Sequence, residues 1–180
     1  VRRRLIEAGV RELAQYGAQA FSLRRVAQSC GVSCAAPYRH FRDKQELIQA
    51  VADAINRDWS ARQVRALEPL KDDVAAQLRA VCKEYLRFLR DNPNFCALIT
   101  QWDEQTGKWH LNRLFDQSSL TKRLIVRYAS EHHMDAQEVY CRAYAIRAML
   151  YGAAMMNQHD DMRLTDAALE ALDRMIDGQI

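Results

Sequence analysis

GVSCAAPYRHF, residues 31–41, holds its bulk back: Ser33, Cys34, Ala35 and Ala36 are small, and Pro37, Tyr38, Arg39, His40 and Phe41 then follow without a break. Gly31 can stop a preceding helix, Val32 is an apolar pivot, and Ser33 is a residue type that caps helix N-termini. The order predicts a short helix from Ser33 to Phe41 that meets a DNA major groove tip first. Small side chains at Cys34, Ala35 and Ala36 would let the backbone approach base edges. Tyr38 and His40 can donate to phosphate oxygens, and Arg39 adds charge. Pro37 and Phe41, four apart, would face inward, and a proline in the first turn costs at most one helical hydrogen bond.

The flanking sequence supplies the rest of such a head. Ile6, Val10, Leu13 and Ala14 fall on one face of a helix over 2–16, and Gly17 follows where a left-handed cap is expected. Ser22 can cap a second helix carrying Leu23, Val26, Ala27 and Cys30. Asp43 with Glu46 three residues on forms a capping box for a long helix, whose N-terminal Lys44 adds a cation. Two short helices joined by a three-residue, glycine-containing turn give the helix-turn-helix layout. Charge follows the same division. Residues 1–50 hold nine Lys/Arg against four acids, net +5, whereas residues 51–180 hold 17 against 19, net −2. A basic N-terminal quarter suits a polyanion partner.

Residues 5–51, LIEAGVRELAQYGAQAFSLRRVAQSCGVSCAAPYRHFRDKQELIQAV, closely resemble the DNA-binding domain of the TetR family of bacterial transcriptional regulators. The resemblance lies in an apolar first helix ending in Tyr16-Gly17, Phe21-Ser22-Leu23, Val26-Ala27, Gly31-Val32-Ser33, Tyr38-x-His40-Phe41 and Lys44 three residues before Leu47. It implies an all-α chain, with a helix-turn-helix DNA-binding domain at 1–48 and an effector-binding, dimerising helical domain at 49–180. By the family pattern Ser22, Tyr38, His40 and Lys44 would touch phosphate, and Arg24, Cys34, Ala35 and Tyr38 would lie near base edges. Cys34 departs from the commoner choices at its position. The resemblance further implies a homodimer on a pseudo-palindromic operator of double-stranded DNA, and repression relieved by a small-molecule effector.

Beyond Lys44 helix follows helix, broken at Pro69 and at Asn92-Pro93. Phe95, Leu98, Ile99 and Trp102 predict a short helix, with a turn at Gly107 and another helix ending near Ser130. Asp135 with Glu138 opens the next, and Thr165 caps the last, with Leu164 and Leu169 as a hydrophobic staple. The stretch 143–156, AYAIRAMLYGAAMM, is apolar nearly all round, with Arg147 its only charge. Such a helix is buried on every side, by a core on one face and a partner subunit on the other. Ile146, Met149, Leu150 and Ala153, with Leu169, Leu172 and Ile176 of the last helix, are the expected dimer contacts. Trp59, Tyr85, Phe88, Trp102, Trp109 and Phe115 are expected around the effector cavity.

Other classes fit poorly. No apolar run approaches the ~20 residues of a membrane span, so a cytoplasmic protein without membrane contact is expected. Val1 rather than Met opens the chain, as in a piece of a longer one. Five cysteines, an odd number without CxxC spacing, give neither a disulfide framework nor a zinc site. His132-His133 and His159-Asp160-Asp161 lack the i, i+4 histidine pair of a helical metal site, and no nucleophile motif is present. No enzyme activity, metal or cofactor is expected. The alternative is a non-regulatory helical carrier of an apolar ligand, which salt-sensitive binding to duplex DNA but not to anionic vesicles would distinguish.

Overall fold

The computed structural model describes residues 1–94, 102–103, 108–109, 119–157 and 162–180. Its helices are α1 (Arg2–Tyr16), α2 (Leu23–Ser29), α3 (Lys44–Leu67), α4 (Val74–Asp91), α5 (Ser119–Glu131), α6 (Ala136–Met156) and α7 (Asp166–Asp177). Short 3-10 turns occupy Pro37–Arg39 and Glu68–Leu70.

Local chemistry explains where the helices begin. The side chains of Ser22, Asp43, Asp73, Asp135 and Thr165 each accept the backbone N–H three residues on, from Arg25, Glu46, Ala76, Glu138 and Ala168. Asp73 was not among the caps the sequence suggested. In the Asp43 box the Glu46 carboxylate takes the N–H of Arg42 at 2.6 Å, which holds the chain entering α3 from outside the helix.

The buried face of α1 differs from the one expected. Leu5, Ala8, Gly9 and Leu13 point inward, Ile6 and Val10 are half-buried, and Ala14 is exposed. Gly9 is the reason. A Cβ there would stand 2.5 Å from Cγ2 of Val51, so α1 crosses α3 backbone to side chain at the one position without a side chain. A second difference concerns Trp102, which lies in a strand rather than a helix. Trp102–Asp103 (β1) pairs antiparallel with Lys108–Trp109 (β2), Trp102 opposite Trp109. Tryptophans flanking a short polar connection that ends in Gly107 suit a hairpin better than a helix. The other residues of that expected helix lie outside the described residues.

α3 is the spine. It runs 24 residues without interruption, so the boundary expected at 48/49 falls inside a continuous helix. Leu47, Val51, Ile55 and Trp59 put its inner face into one core with Leu5, Phe21, Val26 and Phe41 on one side and Tyr85, Phe88 and Leu89 on the other. A smaller cluster of Val74, Leu78, Val81, Leu124 and Tyr128 joins α4 to α5. Among the described residues four ion pairs, Arg79–Asp177, Lys83–Asp177, Arg87–Asp173 and Arg90–Asp166, run between α4 and α7.

α6 is not buried on every side in the single chain. Leu150, Ala153 and Ala154 face the core, while Tyr140, Tyr144, Met155 and Met156 are exposed. Four of the expected dimer contacts, Leu150, Ala153, Leu169 and Ile176, are buried within the single chain. Ile146, Met149 and Leu172 are half-buried against the same core. The reason is that α4 packs against both α6 and α7, so those side chains are used in a core within the chain. What remains outward is the Tyr140–Tyr144–Met155 side of α6 and Met175 of α7.

Candidate nucleic-acid interface

Residues 33–41 form a succession of tight turns, not the α-helix expected. The Ser33 carbonyl accepts from the Ala36 N–H at 2.9 Å, that of Ala36 from Arg39 at 3.2 Å, and that of Pro37 from both His40 and Phe41 at 2.9 Å. Pro37 has no N–H to offer the Ser33 carbonyl four residues back, so the chain tightens to the 3-10 spacing.

The turns nevertheless sort the side chains as expected. Pro37 and Phe41 are buried, and they pin the segment to the core. Ser33, Cys34, Ala35, Tyr38, Arg39 and His40 are exposed, Tyr38 at 61%. Lys44 is exposed in the first turn of α3, and Arg24 is exposed on α2. Ser22 is half-buried, its hydroxyl accepting from Arg25 at 3.4 Å and its N–H donating to Glu12 at 3.0 Å.

Arg24 and Arg25, adjacent in sequence, have separate fates. Arg25 is tied down: its Nε donates to Oε1 of Glu12 at 2.8 Å, and its guanidinium carbon sits 4.2 Å from the centre of the Tyr16 ring. The hydrogen bond to Glu12 raises the Arg25 pKa above its ordinary value. Glu12 is itself buried and bridges α1 to the cap of α2. Sequence reasoning missed it; an acid on the apolar side of α1 was the available signal. The N-terminal arginines are engaged too. Arg2 lies over the Phe41 ring at 5.0 Å, Arg3 pairs with Glu7, and Arg4 donates to the Cys30 carbonyl at 2.8 Å. Beside Lys44, the Asp43 carboxyl is held below the usual carboxylate range, chiefly by the N–H of Glu46 and then by Arg42.

At the other end of α3 a cavity of about 100 Å³ opens among the helices of the body. α3 contributes Trp59 and Gln63, α4 contributes Leu78, Val81, Cys82 and Tyr85, and α5 contributes Ile125 and Tyr128. Ile146, Arg147 and Leu150 of α6 and the terminal Ile180 close it. Of the six aromatics expected there, Trp59 and Tyr85 line it. Phe88 stands behind, its ring 5.4 Å from that of Trp59. The side chains of Trp102 and Trp109, and all of Phe115, lie outside the described residues. Burial pushes the Cys82 thiol up to about 12, so it faces the cavity as a neutral group. Among the described residues no group of His, Cys, Asp and Glu could hold a metal ion, and no helix is long and apolar enough to cross a membrane. His159-Asp160-Asp161 lies outside them.

An exposed basic turn carried on two short helices, continuous through one long helix with a cavity-bearing helical body, defines a helix-turn-helix protein of two functional ends. Residues 5–51 match the family model described as bacterial regulatory proteins, tetR family, and residues 78–178 match the tetracyclin repressor-like C-terminal domain. The chain belongs to the TetR family, whose members are DNA-binding transcriptional regulators and are generally non-enzymatic. Among curated proteins it is similar to the nucleoid occlusion factor SlmA of Photobacterium profundum, 29% identical over 115 residues, covering 62% of this chain. The match spans 58% of that relative's length. A solved protein of unknown function from Rhodococcus sp. RHA1 shares the fold at a TM-score of 0.75 and 23% identity, over 99% of this chain and 94% of its own. A TetR variant from Acinetobacter baumannii in complex with minocycline gives 0.62 and 19%, over 97% and 91%.

Proposed function

We propose that this chain is a homodimeric transcriptional repressor that binds a pseudo-palindromic operator and leaves it when a small molecule fills the cavity. The observation that carries the reading is α3 itself. Lys44 stands in its first turn beside the exposed basic segment, and Trp59 and Gln63 line the cavity roughly 22–28 Å further along the same rod. A shift imposed at one end is delivered to the other. The minocycline complex of a protein with this fold supports a small-molecule effector.

In this reading Ser22, Tyr38, His40 and Lys44 hold phosphates, while Arg24, Ser33, Cys34, Ala35 and Arg39 face the groove. Small residues at 34–36 offer no bidentate hydrogen bonds, so purine readout falls to Arg24. The bound state of Arg25 supports this assignment, because it leaves Arg24 as the outward member of the pair. The exposed side of α6, with Met175, is the dimer surface. The protein acts in the cytoplasm, without cofactor or catalysis.

Selection of bound sites from random DNA, with wild type and Arg24→Ala side by side, tests the assignment. Wild type should return an inverted repeat with a strong G in each half. Arg24→Ala should weaken binding by ~1–3 kcal/mol and lose preference at that base pair alone. Identical motifs from both proteins would make Arg24 a phosphate contact and overturn this readout.

A further inference from the structure

The cavity is mainly apolar, and the position of one of its few polar side chains is informative. Gln63 is 5% exposed and lines the cavity, yet its side-chain amide has no hydrogen-bond partner among the described residues. The amide is thus left facing an apolar space with its hydrogen-bonding capacity unused by the chain. The other polar groups at the rim are differently placed. Arg142 donates to the Gln179 carbonyl at 2.8 Å and to Glu138 at 2.9 Å, which neutralises it. The Tyr128 hydroxyl donates to the Ile180 carbonyl. Arg147 borders the cavity but is exposed. No Asp or Glu side chain lines it among the described residues, so a buried cation would find no side-chain counter-ion. Size narrows the choice further: an apolar cavity of roughly 150 Å³ holds benzene, and this one measures about 100 Å³.

We propose that the ligand of this cavity is an uncharged, mainly apolar molecule smaller than benzene, a short chain carrying one carbonyl or hydroxyl group that pairs with the Gln63 amide. This rests on the reading of the cavity as the effector site, and it adds the ligand's chemistry. The amide both donates and accepts, so Gln63 accommodates a ketone, an ester or an alcohol. A carboxylate would have to compete with Glu138 for Arg142.

The test is calorimetric titration of the intact protein with four probes of five heavy atoms each: 2-butanone, 2-methylbutane, propionate and sec-butylammonium. 2-Butanone should bind most tightly. Gln63→Leu, similar in volume, should weaken 2-butanone ~10-fold and 2-methylbutane less than ~2-fold. Gln63→Glu should raise the affinity for sec-butylammonium relative to 2-butanone, which gives a gain as well as a loss. Tighter binding of propionate or sec-butylammonium to wild type overturns the proposal, as does binding of none of the four. A 2-butanone-to-2-methylbutane ratio unchanged in Gln63→Leu removes Gln63 from it. Release of selected operator DNA is measured separately. If 2-butanone binds as expected and the DNA complex persists, the ligand chemistry stands and the effector reading falls.

Discussion

Asn157, the C-cap of α6, is 5% exposed and joins three elements through one amide. Its Nδ2 donates to the Leu89 carbonyl near the end of α4 at 2.9 Å, and its Oδ1 accepts the Leu164 N–H ahead of α7 at 2.8 Å. Asn157→Ala removes both bonds, but with unequal consequences. The Leu89 carbonyl keeps the Asn92 N–H at 3.3 Å and loses only one partner, about 0.5–1.5 kcal/mol. The Leu164 N–H is left buried and unpaired, about 1–3 kcal/mol. A total of about 1.5–4.5 kcal/mol corresponds to a Tm lower by about 3–18 °C for a chain of this size. Asn157→Asp gives a sharper signature. Its carboxylate still accepts from Leu164 but turns an oxygen toward the Leu89 carbonyl, and burial raises its pKa above the ~3.9 of the unfolded chain. The unfolded state then gives up its proton first as pH rises, so the penalty grows with pH through that interval. When protonated, the acid can donate to Leu89 as the amide did. Asn157→Asp should be clearly closer to wild type at pH 5 than at pH 8, and Asn157→Ala should show no such difference. Urea unfolding followed by circular dichroism at one fixed protein concentration reads both. A cost below about 1 kcal/mol for Asn157→Ala, or a pH-independent penalty for Asn157→Asp, would refute the reasoning.

Lys44→Ala should weaken binding to all duplex sequences about equally and flatten the salt dependence by roughly one unit, measured by titration across a salt series; a changed sequence preference would contradict a phosphate role. Tyr144→Arg, on the exposed side of α6, should yield a folded monomer in equilibrium sedimentation, whereas an unchanged dimer would place the interface elsewhere. With a maleimide at pH 8, Cys34 and Cys141 should react quickly, and Cys30 and Cys82 only on unfolding. Because Cys82 holds its proton to about 12 when folded and to about 9 when unfolded, stability should fall as pH rises from 9 towards 12. Cys82→Ser should reduce that fall, as followed by unfolding at each pH.

Much of the fold was legible in short range. Ser22, Asp43, Asp135 and Thr165 cap helices because a side-chain oxygen and an N–H three residues away settle that geometry between themselves. The inward placement of Pro37 and Phe41 and the outward placement of Tyr38 and His40 follow from spacing alone, and they survive although the helix expected between them does not form. Other features depend on what lies across the fold. Gly9 meeting Val51 rotates the buried face of α1, and the pattern within α1 carries no mark of it. Arg24 and Arg25 are equivalent as neighbours in sequence; Glu12 and Tyr16, from another helix, take one and leave the other outward. α6 is apolar on most sides, so its own sequence could not say which face α4 would cover and which would stay exposed. Gln63 reads as an ordinary polar residue of a long helix, and only the packing of α4, α5 and α6 around it places it in the wall of a cavity. Hydrogen bonds to residues three or four away are decided by the local chain, whereas burial is decided by segments dozens of residues apart, whose arrival no local pattern encodes.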